Sequence, residues 1–288
     1  MSHWQQPQPL DRCEGLRGDP SWVAAAWTHP LAQVVGVDAE GRLNTSASRI
    51  VMLAPTGSYD PQVHHLIGTL GEAPVFATLI EAGDSGLRTV MDSLPDADLQ
   101  LALTAVGLIG WHRVAGFCPN CGSVTNPSAG GLARRCPSCG LEDYPRSDAA
   151  VIVAITDSAD RLLLARQPTW PPRRYSVLAG FAEVGESLEQ VVHREVGEEV
   201  GLELTGIRYL GSQPWPFPRS LMVAFAASAL GTELHPAAGE IEDAGWFSRA
   251  ELLTALESGV VQLPASASIS RRMIQAWLAG DLSAESVG

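Results

Sequence analysis

The sequence predicts an α+β protein in which a small metal-held ribbon precedes a mixed layer of strands and helices. Three observations predict it. Two Cys-x-x-Cys pairs are separated by fourteen residues, strand-like runs punctuated by turn signals begin at Asp148, and between those runs lies a helix whose start and stop are both marked. At 288 residues the chain suits two or three domains, and motifs rather than linkers divide it into 1–112, 113–147 and 148–288.

In the first segment, residues 49–54 and 73–80 read as short strands ended by Pro and Gly, and no internal repeat or low-complexity tract is visible. Residues 97–111 are apolar at helical spacing (Leu99, Leu101, Leu103, Val106, Leu108, Ile109), which predicts a packed helix leading into the cysteines. In the second segment, Cys118–Cys121 and Cys136–Cys139 are each followed by a glycine, Gly122 and Gly140. Two intervening residues let both thiolates of one tight turn reach the same ion, and the glycine permits a positive φ. With four protein ligands the site is closed, which predicts structural Zn²⁺. Arg134 and Arg135 beside the second knuckle are weak evidence for nucleic-acid contact.

In the third segment, residues 149–155, an Asp157 to Asp160 turn and residues 162–165 predict a hairpin. Residues 207–210 and 221–225 predict a second strand pair, and residues around 270–278 a C-terminal helix. The central helix is fixed at both ends: Ser187 with Gln190 makes a capping box and Gly201 a C-cap, giving residues 188–200. Leu188, Val191 and Val192 share one face, and Glu195, Glu198 and Glu199 fall on that same side within an arc of about 100°. Three like charges in one turn repel, and Arg194 cannot neutralise them all. Hard oxygen ligands of this kind suit Mg²⁺ or Mn²⁺, which would acidify a bound water. A merely solvated acidic face would not explain the register of Gly180, Glu186, Arg194 and Gly201, nor Gly197 in mid-helix at a cost near ~1 kcal/mol.

After the helix, residues 212–222 hold three prolines that stiffen a loop, two rings (Trp215, Phe217) suited to stacking, and hydrogen-bonding groups on Gln213 and Ser220. Such a loop suits a flat, ring-bearing ligand.

Residues 180–202 satisfy the Nudix pattern G-x5-E-x7-R-E-U-x-E-E-x-G-U at every fixed position. With the ribbon, Tyr144-Pro145-Arg146 and the 212–222 loop, the chain resembles the NADH pyrophosphatase branch, also known as NAD-capped RNA hydrolases. The resemblance implies a Nudix α/β/α sandwich with a zinc ribbon and an N-terminal Nudix-like α+β domain, assembled as a homodimer. It implies hydrolysis of the pyrophosphate of NAD(H) to NMN(H) and AMP, and removal of NAD caps from RNA 5′ ends. It also implies metal ligation by Glu195, Glu199, Glu240 and the Ala179 carbonyl, with Glu199 as first choice of base and Glu198 as alternative. Phe181 would stack the nicotinamide, and Tyr144, Gln213, Pro214, Trp215, Pro216, Phe217, Pro218, Arg219, Ser220 and Ser270 would contact substrate. Two departures stand out: an acid expected between the cysteine pairs falls at Gly131, and Ser270 replaces an alanine. The N-terminal basic contacts the resemblance implies match no motif here, so Arg49 and its neighbours stay unassigned. The alternatives are a Nudix enzyme for ADP-ribose or a damaged nucleoside triphosphate, and a zinc-ribbon nucleic-acid-binding regulator without catalysis.

Thirty-two acidic against nineteen basic residues give a net charge of −13, which disfavours non-specific gripping of a long phosphate backbone. The longest apolar stretch, residues 99–111, is short of the ~20 residues a spanning helix needs, and the opening Met1-Ser2-His3-Trp4-Gln5 has no leader pattern. The expected compartment is the cytoplasm, where four of the five cysteines favour metal over disulfides and Cys13 is left over.

Overall fold

The computed structural model describes residues 8–282, so the opening stretch Met1 to Gln5 lies outside it. The chain forms two units: residues 8–147 with 216–219, and residues 148–215 with 220–282. The ribbon clusters with the N-terminal residues.

In the first unit the elements run β1 (Leu10–Asp11), α1 (Pro20–Trp27), β2 (Gln33–Val37), β3 (Arg42–Leu43), β4 (Thr45–Ser46), β5 (Arg49–Ile50), β6 (Met52–Leu53), β7 (His65–Leu70), β8 (Ala73–Leu79), β9 (Ser85–Gly86), α2 (Leu87–Val90) and α3 (Asp96–Val114). The strand expected over 49–54 is two strands in two sheets: β5 pairs with β4 while β6 pairs with β2. Val51 between them turns away, its N–H donating to Asn44 O. The helix expected over 97–111 is α3, and no helix among the described residues is long and apolar enough to cross a membrane. The ribbon adds β10 (Asn126–Ser128), β11 (Ala133–Arg135) and β12 (Glu142–Asp143) as an antiparallel sheet.

The second unit contains β13 (Asp148–Thr156), β14 (Leu162–Arg166), β15 (Leu178–Phe181), α4 (Leu188–Val200), β16 (Leu204–Trp215), β17 (Ser220–Ala229), β18 (Asp243–Phe247), α5 (Arg249–Glu257) and α6 (Ile269–Ala279). Alternation along β13 builds both faces. Val151, Val153 and Ile155 meet Val191, Val192, Val196 and Val200 of α4, while Ile152 and Ala154 join Leu252 of α5 and Met273, Ile274 and Trp277 of α6. Each of α4's four fully buried valines contributes about 1.5–3 kcal/mol of burial, which fastens the helix to the sheet. The predicted hairpin is real but short: β13 and β14 share register at Thr156 and Leu162, and β14 otherwise pairs with β18.

The two sheets have the same connectivity. In the second unit the order is β16-β17-β13-β14-β18 with β15 on β13; in the first it is β7-β8-β2-β3-β9 with β6 on β2 and β1 added outside. The one parallel pairing falls at equivalent places, β13 with β17 and β2 with β8. The turn after the leading strand is built alike, Asp157 accepting from the Ala159 and Arg161 backbone and the Arg161 guanidinium, and Asp38 from Glu40 and Arg42 in the same way. The first unit thus repeats the strand order of the second, with one element missing. Between β6 and β7, where the second unit has α4, residues 54–64 contain no helix. They supply Tyr59 and His64 instead, and His64 stacks on Trp27 of α1 at 3.9 Å.

Candidate active site

The helix α4 begins and ends as the sequence requires: both halves of the Ser187–Gln190 capping box are present, and Gly201 closes it at φ 72. Its acidic residues are not equivalent. Glu198 is 59 % exposed, Glu195 is 18 % exposed over β15, and Glu199 turns inward at 6 %. Glu195 reaches its place because residue 180 has no side chain: a Cβ on Gly180 would lie 1.8 Å from Glu195 Cδ. The leading glycine of the motif is thus a steric requirement of the carboxylate one helix away.

Arg194 is fully engaged. Its guanidinium donates to Glu186 at 2.6 and 2.8 Å, to Glu195 at 3.0 Å, to Glu198 at 3.1 Å and to the Phe181 carbonyl at 2.9 Å, which closes the loop between β15 and α4. Those bonds, first from Arg194 and then from the Glu183 N–H, hold the Glu186 carboxyl down at about 2. Glu199 receives none of this. Its Oε2 is buried with no hydrogen-bond partner, and burial, followed by the charges of Glu195, Glu240 and Glu198, pushes its carboxyl up to about 8. A buried carboxylate oxygen without a donor is costly unless a cation or proton meets it. The donor set is all hard oxygen, so the residues present fit a hard divalent cation. The glutamate oxygens are nevertheless spread more widely than a closed metal cage; Glu240 is exposed in the turn before β18.

The four ribbon thiols do form such a cage, with their sulfurs all within 4.8 Å of one another. Cys118–Cys139, Cys121–Cys136 and Cys121–Cys139 approach to 3.6, 3.5 and 3.6 Å. That is far beyond a disulfide bond and close to the edge of a tetrahedron with ~2.3 Å Zn–S bonds. The site fits structural zinc. Gly122 and Gly140 adopt φ 73 and 78, as the knuckle turns demand. Arg134 is not a free cation on this ribbon: it is buried, donating to Thr125 Oγ1 and O and to His112 Nδ1. Because a guanidinium only donates, His112 must carry its proton on Nε2, which donates to Gly131 O at 2.7 Å. His112 in turn stacks on His65 at 3.6 Å, and burial pushes the two rings down to about 4 and about 3. This stack explains the departure at Gly131: φ is +96, and a Cβ would lie 2.7 Å from the His65 ring, so no acid fits there.

The remaining residues expected to touch substrate divide between the units. In the second unit, Phe181 is exposed at the end of β15, and Pro214 and Trp215 close β16. Gln213 is fully buried: its amide donates to Ala267 O and accepts from Ile269 N, both at 2.7 Å, so it ties β16 to the start of α6. Ser220 and Ser270 are buried too, the latter's hydroxyl 3.1 Å from Ser268 Oγ. In the first unit, Tyr144 is exposed and donates to Glu142, and Pro216 to Arg219 sit with Arg88, whose guanidinium lies 4.5 Å above the Phe217 ring. Arg88 had no signal in the sequence, being a lone arginine in a short helix.

Residues 145–266 match the NUDIX domain family, and residues 111–144 match the NADH pyrophosphatase zinc ribbon domain. Over 296 residues the chain is 40 % identical to an NAD-capped RNA hydrolase NudC of Mycobacterium bovis (strain BCG / Pasteur 1173P2), covering 93 % of this chain and 92 % of the relative. The NAD-capped RNA hydrolase NudC of Deinococcus radiodurans is 45 % identical over 222 residues, 74 % of this chain and 76 % of the relative. That of Chromobacterium violaceum is 44 % identical over 189 residues, 66 % and 68 %.

Proposed function

The chain belongs to the NAD-capped RNA hydrolase family of Nudix enzymes, and from that premise we propose that it hydrolyses the pyrophosphate of NAD(H) and of NAD-capped RNA 5′ ends at the α4 carboxylates. One water adds across the phosphoanhydride: an O–P bond forms, the bridging P–O bond breaks, and the water's proton goes to a carboxylate. The products are NMN(H) with AMP, or NMN with 5′-monophosphate RNA.

The observation that carries this reading is Glu199, a buried carboxylate with an unpartnered oxygen, raised to about 8 among Glu195, Glu198 and Glu240 while the local arginine is spent elsewhere. Glu195, Glu199, Glu240 and the Ala179 carbonyl are the groups that would hold Mg²⁺ or Mn²⁺. When bound, the ion supplies positive charge to the pyrophosphate oxygens and acidifies the attacking water. Glu199 is the first choice as base and Glu198 the alternative, while Arg194 orients Glu195 and Glu198 and keeps the 181–186 loop closed. Phe181 and Trp215 offer rings to the flat bases of the substrate. The enzyme is taken to act as a cytoplasmic homodimer, which sedimentation velocity and cell fractionation test.

Purified protein with NADH and Mg²⁺ or Mn²⁺ is expected to yield NMNH and AMP, and with NAD-capped RNA a 5′-monophosphate end. Intact substrate under every metal condition would overturn the reading.

A further inference from the structure

We propose that the loop of residues 167–175 holds the RNA strand that follows the cap when the substrate is an NAD-capped RNA; this rests on the reading above and adds to it a surface for the polymer. The loop rises from the end of the sheet that carries the site. Arg166 closes β14 opposite Asp243, Phe181 closes β15, and Trp215 and Asp148 both lie opposite Ser220, so all these strand ends share one edge with the Glu240 turn. The Glu242 N–H, two residues beyond Glu240, donates to Arg166 O.

Charge singles this loop out. All nineteen basic residues of the chain are arginines in a molecule of net charge −13. Within the catalytic unit, Arg161, Arg166, Arg194 and Arg249 are each paired with carboxylates, Arg208 donates to Leu282 O, and Arg271 and Arg272 are half-buried on α6. Arg173 and Arg174 are exposed and have no carboxylate partner among the described residues; Arg173 makes a 3.3 Å bond to the Gly259 carbonyl. Two unneutralised guanidiniums side by side fit successive phosphates, and the half-buried Trp170 three residues before them offers a ring for a base. A free dinucleotide has no phosphate beyond its pyrophosphate, so these groups would serve the capped polymer alone.

The loop is also built to hold its shape. Gln262 N donates to Arg173 O at 2.7 Å, Tyr175 N donates to Gln262 O at 2.9 Å, and the Tyr175 hydroxyl donates to Asp243. The Arg166 guanidinium donates to Trp170 O at 3.2 Å, and Pro168, Pro171 and Pro172 restrict the rest. Arg173 sits at φ 68, a conformation few non-glycine residues adopt, so the turn sets the direction of its Cα–Cβ bond.

The test compares wild type with Arg173→Ala/Arg174→Ala, Arg173→Lys/Arg174→Lys and Trp170→Ala, on NADH and on a short NAD-capped RNA, between about 50 and 200 mM salt. The double alanine variant is expected to keep its kcat/KM on NADH and to lose about tenfold on capped RNA, through KM, with a salt slope shallower by roughly 1.4. The lysine pair should retain most of the RNA activity, and Trp170→Ala should raise KM for capped RNA alone. Equal losses on both substrates would make the loop structural and overturn the proposal, as would unchanged rates on RNA. Wild type that cleaves NADH but not capped RNA would also overturn it and leave the pyrophosphatase reading standing; wild type inert on both refutes that reading instead.

Discussion

Replacing Glu199 with glutamine should remove activity and, in metal-free protein, increase stability in a pH-dependent way. The Glu199 carboxyl stands at about 8 in the fold against 4.5 as its ordinary value. Since the folded value is the higher one, the folded chain keeps a proton that the unfolded chain has already released. Stability is therefore intact below the ordinary value and lost as pH rises toward 8. At about pH 7 the unfolded carboxyl has been ionised over some 2.5 units while the folded one is still mostly protonated, a cost of about 3 kcal/mol. Glutamine keeps the shape without the charge, so in chelator the variant's catalytic unit should melt higher by roughly 6–12 °C near neutral pH and by little at about pH 5. Adding Mg²⁺ or Mn²⁺ should raise the melting temperature of wild type and leave the variant unmoved. The measurement is a pH series of thermal unfolding with and without divalent cation. Parallel pH profiles for the two proteins would refute the reasoning.

Gly180→Ala forces a Cβ into Glu195 Cδ, so kcat/KM should fall by at least ~100-fold with a stability loss of only about 1–3 kcal/mol; retained activity in a steady-state assay would show that Glu195 has room to move. Gln213→Glu places a buried carboxylate against Ala267 O, a loss of about 1–3 kcal/mol near neutrality. The neutral acid restores the donor, so that loss should shrink as pH falls; a pH-independent difference in unfolding midpoint argues against the tie. Wild type is expected to carry one zinc per chain by metal analysis, and Cys118→Ser should abolish it while the α4 sheet keeps its melting transition, since the ribbon belongs to the other unit. Gly197 is exposed in mid-helix with open space where an alanine methyl would stand, so Gly197→Ala should stabilise by about 0.5–1 kcal/mol in urea unfolding.

The parts of the site that are local in sequence were legible there. Ser187, Gln190 and Gly201 bound α4 by contacts within a few residues, and the cysteine spacing defines its own cage. What the sequence left open depends on distant partners. The angular spread of Glu195, Glu198 and Glu199 does not say which points at the sheet, because that is decided by β15 beneath the helix and by the bare backbone at Gly180. Arg134 reads as a surface cation until His112, twenty-two residues away, claims it, and the bonds from Gln213 to Ala267 and Ile269 have no local signal. The doubled topology was implied by the family resemblance alone and had no local signal, for a related reason. Residues 33–37 and 148–156 share a strand's place without sharing residues, and pairing order is set by which apolar faces meet, which no local pattern records.

The first unit preserves the strand order, the Asp–Arg turn and the trailing helices of the second, and omits α4. Frame and chemistry are therefore separable cargoes of the same architecture. Two energetic liabilities of the reaction, the proton held on Glu199 and the bare backbone at Gly180, fall within residues 180–201, a cartridge that the other half lacks. Selection for turnover and selection for folding act on different lengths of chain here, so mutations that tune catalysis inside the cartridge leave the chassis to absorb their cost.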